Sequence, residues 1–463
     1  MTASYQQDRK DFLAGTTTVR RRTEQFLETI SEKASLNAFL HVDSEGALRA
    51  ADQSDERFAA GLARPLEGMV VAVKDNISLR GMPLTCGSRI LGGFRPLYHA
   101  TVIEQLQNAG AIMIGKTNMD EFAMGSSNEN SAYGVVRNPY DANRVPGGSS
   151  GGSAVATAAG MCHTALGSET GGSVRQPAAF CGTFGLKPTY GSISRYGLVA
   201  FASSLDQIGV FARTAEDAAT VFDVIAGHDP MDSTSVASAP KISAPVNRPL
   251  RVGAIPLSEL DGCNTEVLAA YEQYVDAFRS IGAEVHNVSV PHRDTWIPTY
   301  FILATAEASS NLARFDGIRY GLRAEDASGD VTTETRSQGF GAEVKRRIML
   351  GTYVLSSGYY EAYYGRAQKA RRMISDGYTS IFHDYDVLAL PTTPTTAFGI
   401  GEVSDPVSMW LSDYFTVSAN IAGIPAISIP FGADSRGLPI GMQLQGPAFS
   451  DEVLLTLAQK VSR

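Results

Sequence analysis

The chain has 463 residues, of which 44% are hydrophobic, so it is long enough to bury a large core. Its formal net charge of −9 argues against broad contact with DNA or RNA, because phosphate binding needs clustered lysine and arginine. No run of ~18 apolar residues could span a membrane, and the polar residues 1–12 do not resemble a secretory signal, so we expect a soluble, cytoplasmic protein.

Short apolar runs alternate with helical patterns along the chain. Strands are expected at residues 70–73, 111–114, 250–255, 283–290, 387–390, 426–430 and 442–444. Helical patterns cover residues 100–108, 214–225, 266–281 and 360–375. The alternation predicts an α/β fold in which helices cover a mostly buried sheet.

Two stretches lack a clear period. Residues 233–249 are rich in serine, alanine and proline and could separate two domains, but the strands expected after them continue the same layout. Residues 323–339 are polar and charged, which predicts a surface loop. The four cysteines, Cys86, Cys162, Cys181 and Cys263, have no C-x-x-C spacing, so neither a zinc site nor a disulfide framework is indicated.

Three residues have the chemistry of a hydrolytic site. Lys74 ends the apolar run 70–73, Ser149 lies in Pro-Gly-Gly-Ser-Ser-Gly-Gly-Ser, and Ser173 lies in Gly-Ser-Glu-Thr-Gly-Gly-Ser-Val-Arg-Gln-Pro. Amide hydrolysis needs a nucleophilic hydroxyl, a base that takes its proton, and backbone donors for the oxyanion. Ser173 would be the nucleophile, and Thr170, Gly171 and Gly172, with Ser173 itself, would supply the backbone donors.

Lys74 could act as the base only if it is neutral. A free lysine has a pKa of ~10.4, so neutralising it at pH 7 costs about 4–5 kcal/mol, and burial must reduce that cost. Ser149 could then pass a proton from Ser173 to Lys74. Each feature also has an ordinary explanation: a glycine-serine run is often a flexible turn, and a strand that ends in lysine often reaches solvent. Their joint occurrence favours the catalytic interpretation.

Two other motifs compete with this interpretation. Residues 110–117 match the phosphate-loop pattern G-x-x-x-x-G-K-[ST], but their apolar interior is typical of a strand rather than a glycine-rich turn. Residues 147–151 match the G-x-S-x-G nucleophile elbow, but the preceding residues 138–146 predict a loop where that motif needs a strand. We therefore expect neither nucleotide binding at Lys116 nor a serine-histidine site at Ser149.

The two serine motifs, with Lys74 at its spacing ahead of them, resemble the amidase signature family over about residues 65–215, and the resemblance resumes near the C-terminus. The resemblance implies that Ser173 forms the acyl intermediate, that Ser149 bridges from a cis peptide conformation, and that Lys74 is the general base. It also implies one large α/β/α domain over residues 1–463, a mixed sheet with helices on both faces, and that residues 233–249 lie inside the domain.

Further segments resemble the amidase chains of bacterial tRNA-dependent amidotransferases, namely residues 116–125, 315–321, 343–352, 355–360 and 391–398. This resemblance implies hydrolysis of L-glutamine and delivery of the ammonia to a second subunit. That partner would hold most of the misacylated tRNA and activate it with ATP and magnesium, and a small third subunit would complete a heterotrimer. It implies no cofactor in this chain.

A glutamine substrate needs an arginine for its α-carboxylate and an acid for its α-ammonium. In the family these positions correspond to Arg347 and Asp413, and Tyr300 is a further candidate for lining the pocket. Arg346 could take the place of Arg347, since either could be a surface charge at a helix start, and Asp413 could instead be a helix cap.

Two alternative functions stay open on the sequence. A free-standing amidase that acts on a small amide would share Lys74, Ser149 and Ser173 but would not need the Arg347 and Asp413 pair. A non-catalytic scaffold is disfavoured because all three catalytic candidates are present. The choice between Glu-tRNA(Gln) and Asp-tRNA(Asn) as the acceptor is not recorded in the chain.

Overall fold

One mixed β-sheet with eleven strands organises the protein. The computed structural model describes residues 4–237, 243–245, 248–325 and 329–462. In these residues the spatial order of the strands is β1-β3-β2-β4-β6-β5-β10-β11-β9-β7-β8. In chain order the strands are β1 Phe39–Val42, β2 Val70–Lys74, β3 Ile112–Thr117, β4 Thr164–Glu169, β5 Phe184–Lys187, β6 Gln207–Ala212, β7 Arg251–Ala254, β8 Glu284–Asn287, β9 Val387–Pro391, β10 Ala426–Ala433 and β11 Pro439–Gln445.

Helices cover both faces of this sheet. Alternate residues of β2 belong to different cores: Val71 and Val73 pack in one, and Val70 and Ala72 in the other. The predicted α/β/α architecture is therefore confirmed. The α-helices are α1 Tyr5–Ala14, α2 Val19–Glu32, α3 Ser44–Ala59, α4 Thr101–Asn108, α5 Gly151–Ala158, α6 Arg175–Cys181, α7 Ala215–Ile225, α8 Thr265–Ser280, α9 Trp296–Asn311, α10 Val331–Gly339, α11 Ala342–Val354, α12 Arg366–Asp384, α13 Pro406–Leu411, α14 Val417–Ala422 and α15 Asp451–Val461.

The strand directions bring three chain segments to one edge of the sheet. Strand β2 runs parallel to β3 on one side and to β4 on the other. Since parallel strands end at the same edge, the last residues of β2 and β4, Lys74 and Glu169, both lie at that edge, with β4 extending about two residues further. The short helices α5 and α6 begin close to this edge.

The expected strands are all present, with small shifts in their bounds, but four strands were missed. These are β1, β4, β5 and β6, and the last three are buried along their whole length. Strand β4 has the sequence Thr-Ala-Leu-Gly-Ser-Glu, whose small and polar residues have low strand propensity. Burial between two strands and two helical layers decides its conformation instead. The four expected helices are present, and residues 360–375 begin as the π-helical turn Glu361–Gly365.

The two segments expected to be irregular, residues 323–339 and 233–249, are only partly so or only partly described. The surface loop predicted at residues 323–339 is wrong for its second half, because Val331–Gly339 is helix α10, capped by the Asp330 carboxylate. Residues 326–328 lie outside the described part, as do 238–242 and 246–247 of the linker-like stretch 233–249. Strands from both sides of that stretch share the one sheet, since β10 pairs with β5. The single-domain assignment of residues 1–463 stays a prediction.

A fully buried arginine joins the two halves of the sheet. The Arg175 guanidinium, at the start of α6, forms an ion pair with Glu169 at the end of β4. It also donates to Gln443 of β11 at 2.7 Å and to Asn420 of α14 at 2.6 Å. Arg175 therefore links a strand of the first half of the chain to elements of the second half.

Replacing this arginine should destabilise the whole protein. We expect Arg175→Met to cost about 3–5 kcal/mol, because the Glu169 carboxylate would be left buried without its partner. The measurement is the urea or thermal unfolding midpoint of the purified chain. Arg372→Met is the matched control, since Arg372 pairs with Asp376 on the surface, and it should leave the midpoint nearly unchanged. Equal midpoints for the two variants would contradict the structural role of Arg175.

Candidate active site

Lys74 is fully buried at the end of β2 and contacts the first predicted serine. Its Nζ lies 2.8 Å from Ser149 Oγ, 2.7 Å from Ser150 Oγ and 3.0 Å from the backbone oxygen of Ser168. The peptide bond between Gly148 and Ser149 is cis, as the family resemblance implies. The structure thus brings two of the three predicted catalytic residues into direct hydrogen-bond contact.

Burial makes this lysine suitable as a base. It lowers the pKa of the Lys74 amine to about 7, against the opposing effect of the Asp120, Asp206 and Glu169 carboxyls. A lysine in an aqueous loop has a pKa of ~10.4. A substantial fraction of Lys74 is therefore neutral near pH 7. A neutral amine is the condition under which Lys74 could act as a base.

Ser150, which was not among the predicted site residues, limits the hydrogen bonds that Lys74 can make. Its hydroxyl donates to the Ser168 backbone oxygen at 3.0 Å, so towards Lys74 it can only accept. A neutral amine has two N–H groups, and Ser150 Oγ and the Ser168 oxygen accept both of them. The remaining lone pair is left for Ser149, whose O–H must donate to it. The tandem Ser149-Ser150 in the sequence was the available signal.

The loop of residues 170–173, which carries Ser173, is closed by Glu169, the residue just before the loop. Glu169 Oε2 accepts the backbone N–H groups of Val174 at 3.0 Å and Arg175 at 3.1 Å. Burial raises the pKa of the Glu169 carboxyl, but the Arg175 guanidinium outweighs burial and keeps that pKa below its usual range. Glu169 is therefore ionised and holds both ends of residues 170–173 together.

This closure leaves backbone donors at the predicted oxyanion site. Among the described residues, the N–H groups of Gly171, Gly172 and Ser173 have no hydrogen-bond acceptor. The Ser173 side chain is 6% exposed, and its hydroxyl makes no hydrogen bond within the same ranges. Unpaired amides next to an unbonded hydroxyl are what an oxyanion hole needs. The roles of Ser173 as nucleophile and of Thr170, Gly171 and Gly172 as donors stay predictions.

Two of the three predicted substrate-binding residues lie against this loop. The Tyr300 hydroxyl is 2.8 Å from Thr170 Oγ1, and a Cβ atom on Gly171 would come within 2.6 Å of the Tyr300 ring. A Cβ on Gly172 would lie 2.5 Å from Asp413 Oδ1. The two glycines are therefore necessary for this close approach, as well as for the exposed amides.

Asp413 is a buried acid with one free oxygen. Burial raises the pKa of its carboxyl to about 7, opposed by a hydrogen bond from Ser126 and by the charges of Arg175 and Arg347. Its Oδ2 accepts from Ser126 Oγ at 2.5 Å, and its Oδ1 has no hydrogen-bond partner among the described residues. Asp413 is not a helix cap, since the N-cap of α14 is Thr416.

The structure separates the two candidate arginines on helix α11. Both pair with Glu343, but the Arg347 side chain is 6% exposed whereas that of Arg346 is 46% exposed. The Arg347 guanidinium lies 5.4 Å from the centre of the Phe301 ring and 5.7 Å from that of Phe201. Only its Nε is used by Glu343, so both Nη groups are left for a ligand. Arg347 is thus buried against Phe201 and Phe301, whereas Arg346 faces solvent.

The phosphate-loop alternative is excluded by the structure. Lys116 lies inside strand β3 and is fully buried, where its Nζ pairs with Asp75 at 3.1 Å and donates to the Ile77 backbone oxygen at 2.9 Å. The residues before Gly147 form no strand, so the nucleophile-elbow alternative is excluded too.

Several further features of the described residues bear on the class of site. They contain no group of three or more His, Cys, Asp or Glu side chains arranged to hold a metal ion. All four cysteines are free thiols. In the same ranges, no helix has both the length and the apolar content required to cross a bilayer.

A family model, a sequence relative and a solved structure all relate this chain to amidases. The Amidase family model matches residues 21–455. The A subunit of Glutamyl-tRNA(Gln) amidotransferase from a Picosynechococcus species is 53% identical, over 94% of this chain and 92% of its own length. The crystal structure of the corresponding Glutamyl-tRNA(Gln) amidotransferase chain from Thermotoga maritima superposes with a TM-score of 0.79 at 42% identity, over 96% of this chain and 91% of that one.

A second solved structure shows how widely the fold is shared. The peptide amidase of Stenotrophomonas maltophilia superposes with a TM-score of 0.84 at 30% identity, covering 99% of this chain and 96% of that chain. Similarity of fold alone therefore does not select a substrate, and the residues around Ser173 must do so.

The buried lysine generates a prediction about pH. Hydrolysis of an uncharged amide such as propionamide should have a kcat/KM that rises about tenfold per pH unit below pH ~6 and levels off above pH ~8, because Lys74 acts as a base only after losing its proton. The measurement is ammonia release between pH 5 and 9. The protein is first shown to be folded over this pH range.

Lys74→Arg is the matched control for this profile. It keeps a long cationic side chain whose pKa is too high for a base, so it should be inactive at every pH in the range. A flat profile in the wild type, or substantial activity in Lys74→Arg, would contradict the assigned role.

Proposed function

This chain belongs to the amidase family, and from that premise we propose that it is the glutamine-hydrolysing subunit of a tRNA-dependent amidotransferase. The observation that carries the proposal is that Tyr300 and Asp413 lie against the Ser173 loop, and that the charge of the buried Arg347 acts on both of them. A buried cation and a buried anion near the same loop suit a free amino acid, which carries both charges. An uncharged amide would leave Asp413 Oδ1 buried without a partner.

Recognition of glutamine follows from these contacts. The two Nη groups of Arg347 bind the α-carboxylate as a fork, and Asp413 Oδ1 accepts the α-ammonium. The Tyr300 ring lies against Gly171 and forms a wall beside the aliphatic part of the substrate. The side-chain amide is thereby directed towards Ser173.

Acylation begins with the Ser173 hydroxyl. Its oxygen attacks the amide carbon, its proton passes to Ser149, and the Ser149 proton passes to the neutral Lys74. The backbone N–H groups of Gly171, Gly172 and Ser173 bind the oxyanion of the tetrahedral intermediate. When the intermediate collapses the C–N bond breaks, and the leaving nitrogen takes the proton from Lys74 through Ser149, so ammonia departs.

Deacylation repeats the proton path with water. A water molecule attacks the glutamyl ester while Lys74, through Ser149, accepts its proton. The ester C–O bond then breaks, Ser173 recovers a proton, and glutamate leaves. One glutamine and one water give one glutamate and one ammonia, with the lysine neutral again.

The use of the ammonia is assigned to partner subunits. A second subunit would receive it and convert the misacylated tRNA, Glu-tRNA(Gln) or Asp-tRNA(Asn), to the amide form with ATP and magnesium, and a small third subunit would complete a cytoplasmic heterotrimer. The two relatives named for Glutamyl-tRNA(Gln) amidotransferase support this assignment. The net charge of −9 agrees with a partner holding most of the tRNA.

The function is tested by ammonia release from L-glutamine. The purified chain is assayed alone and with the partner subunits, ATP and Glu-tRNA(Gln). We expect release that partners stimulate and that Ser173→Ala abolishes, because the acyl intermediate cannot form without the hydroxyl. Release from simple amides but never from glutamine would favour a free-standing amidase instead.

Arg347 and Arg346 form a matched pair for testing recognition. Arg347→Met should raise KM for glutamine roughly tenfold or more, since a charged hydrogen bond contributes about 1.5–3 kcal/mol. Arg346→Met removes a guanidinium with the same Glu343 partner from the solvent side and should leave KM nearly unchanged. Initial rates over a range of glutamine concentrations measure both. A larger effect in Arg346→Met would reverse the assignment.

A further inference from the structure

The Asp413 carboxylate is held in place from one side only. The Ser126 hydroxyl donates to its Oδ2 at 2.5 Å, and both residues are buried, Ser126 at 4% exposure and Asp413 at 7%. The other oxygen, Oδ1, is buried without a hydrogen-bond partner in the described part of the chain. It lies against Gly172, next to the nucleophile. An unpaired buried carboxylate oxygen is costly unless a ligand completes it.

Ser126 is itself tied to the catalytic loops through a buried glutamine. Gln176 Nε2 donates to the Ser126 backbone oxygen at 2.7 Å, and Gln176 Oε1 accepts from the N–H of Gly148 at 3.0 Å. The backbone N–H of Gln176 donates to the Gly172 oxygen at 2.8 Å. One residue thus links the segment of Ser126, the turn of Ser149 and the loop of Ser173.

The residues that follow Ser126, Asn128 and Asn130, are held in place as well. The Asp120 carboxylate accepts the N–H groups of Asn128 at 2.9 Å and Asn130 at 3.0 Å, and the Asp120 N–H donates to the Ser149 backbone oxygen at 3.2 Å. Ser126 therefore cannot move away from Asp413 without breaking contacts on both sides. Its hydroxyl reaches across 287 residues of sequence to a fixed point.

We propose that Ser126 is a specificity-determining positioning residue, which fixes Asp413 through Oδ2 so that Oδ1 is presented to the α-ammonium group of the substrate. The inference rests on the proposed glutamine hydrolysis. The hydroxyl does not touch the reacting amide, so its contribution is confined to substrates that carry the ammonium group. A substrate without that group gains nothing from an oriented Oδ1.

The test compares two substrates that differ in this one group. L-Glutamine and glutaramate have the same carboxylate and the same amide, but glutaramate lacks the α-ammonium. Ammonia release is measured for the full chain with its partner subunits, in the wild type and in Ser126→Ala. We expect KM for glutamine to rise about tenfold or more, the value of one hydrogen bond to a charged group, with kcat little changed. The kcat/KM for glutaramate should stay within about twofold of the wild type.

Ser127→Ala is the matched control. Ser127 is the next residue of the same segment, is also buried, and its side chain makes no hydrogen bond within the described residues. The same truncation there should leave the ratio of the two kcat/KM values at the wild-type level. If Ser126→Ala does not fold, as judged by its unfolding midpoint, Ser126→Cys replaces the hydroxyl with a weaker donor of similar shape and should lower the same ratio.

Each outcome of this comparison either supports or overturns the proposed role of Ser126. A selective loss on glutamine supports the inference. An equal loss on both substrates shows that Ser126 is only structural and overturns it, and an unchanged ratio overturns it too. Failure of the proposed function is visible separately, because the wild-type protein itself would then release no ammonia from glutamine, and the inference would fall with it.

Discussion

The arrangement of the site depends on one constraint, a lysine that must be buried and still satisfy its hydrogen bonds. At full burial the Lys74 amine has a pKa of about 7, so its charged and neutral forms are close in free energy. A buried amine without acceptors would destabilise the fold. The parallel pairing of β2 with β4 supplies one acceptor at the strand ends, the Ser168 oxygen, and the start of α5 supplies two hydroxyls. The sheet topology thus supplies the hydrogen-bond partners that allow the Lys74 amine to be buried.

Three acids near Lys74, namely Asp120, Asp206 and Glu169, oppose the lowering of its pKa, and burial of the amine outweighs them. Asp120 and Asp206 are buried, and burial raises the pKa of the first to about 6 and of the second to about 7. Asp206 is therefore only partly ionised around neutral pH, whereas Asp120 is mostly ionised there. Glu169 is ionised too, and it forms an ion pair with the Arg175 guanidinium beside it. The same ion pair closes the Ser173 loop and joins the halves of the sheet, so the electrostatics and the scaffold rest on shared residues.

The sequence was sufficient for features that are local in the chain. The strand that ends at Lys74 and the small-residue motifs around Ser149 and Ser173 could be identified because apolar runs and glycine clusters have local signatures. Strand β4 could not, since its small and polar residues adopt an extended conformation only because both faces are covered. Strands β5 and β6 are short and interrupted by glycine, and they were missed as well. The hydrogen bond between Ser126 and Asp413 spans 287 residues, and no periodicity records such a contact. Only the fold could show that Arg347, rather than Arg346, faces inward.

Chemistry and substrate choice meet at two glycines. Gly171 and Gly172 leave their backbone N–H groups unpaired beside Ser173, and a Cβ atom on either would collide with a recognition residue, Tyr300 in one case and Asp413 in the other. The residues that select the substrate can therefore approach the reacting centre only because the oxyanion loop has no side chains there. A change of specificity in this fold would have to act on Arg347, Tyr300, Asp413 or their supports, since a side chain on the glycines would disturb the oxyanion donors at the same time. The Ser126 hydroxyl is such a support, because it bonds to Asp413 Oδ2 and makes no hydrogen bond to the loop itself in the described part of the chain.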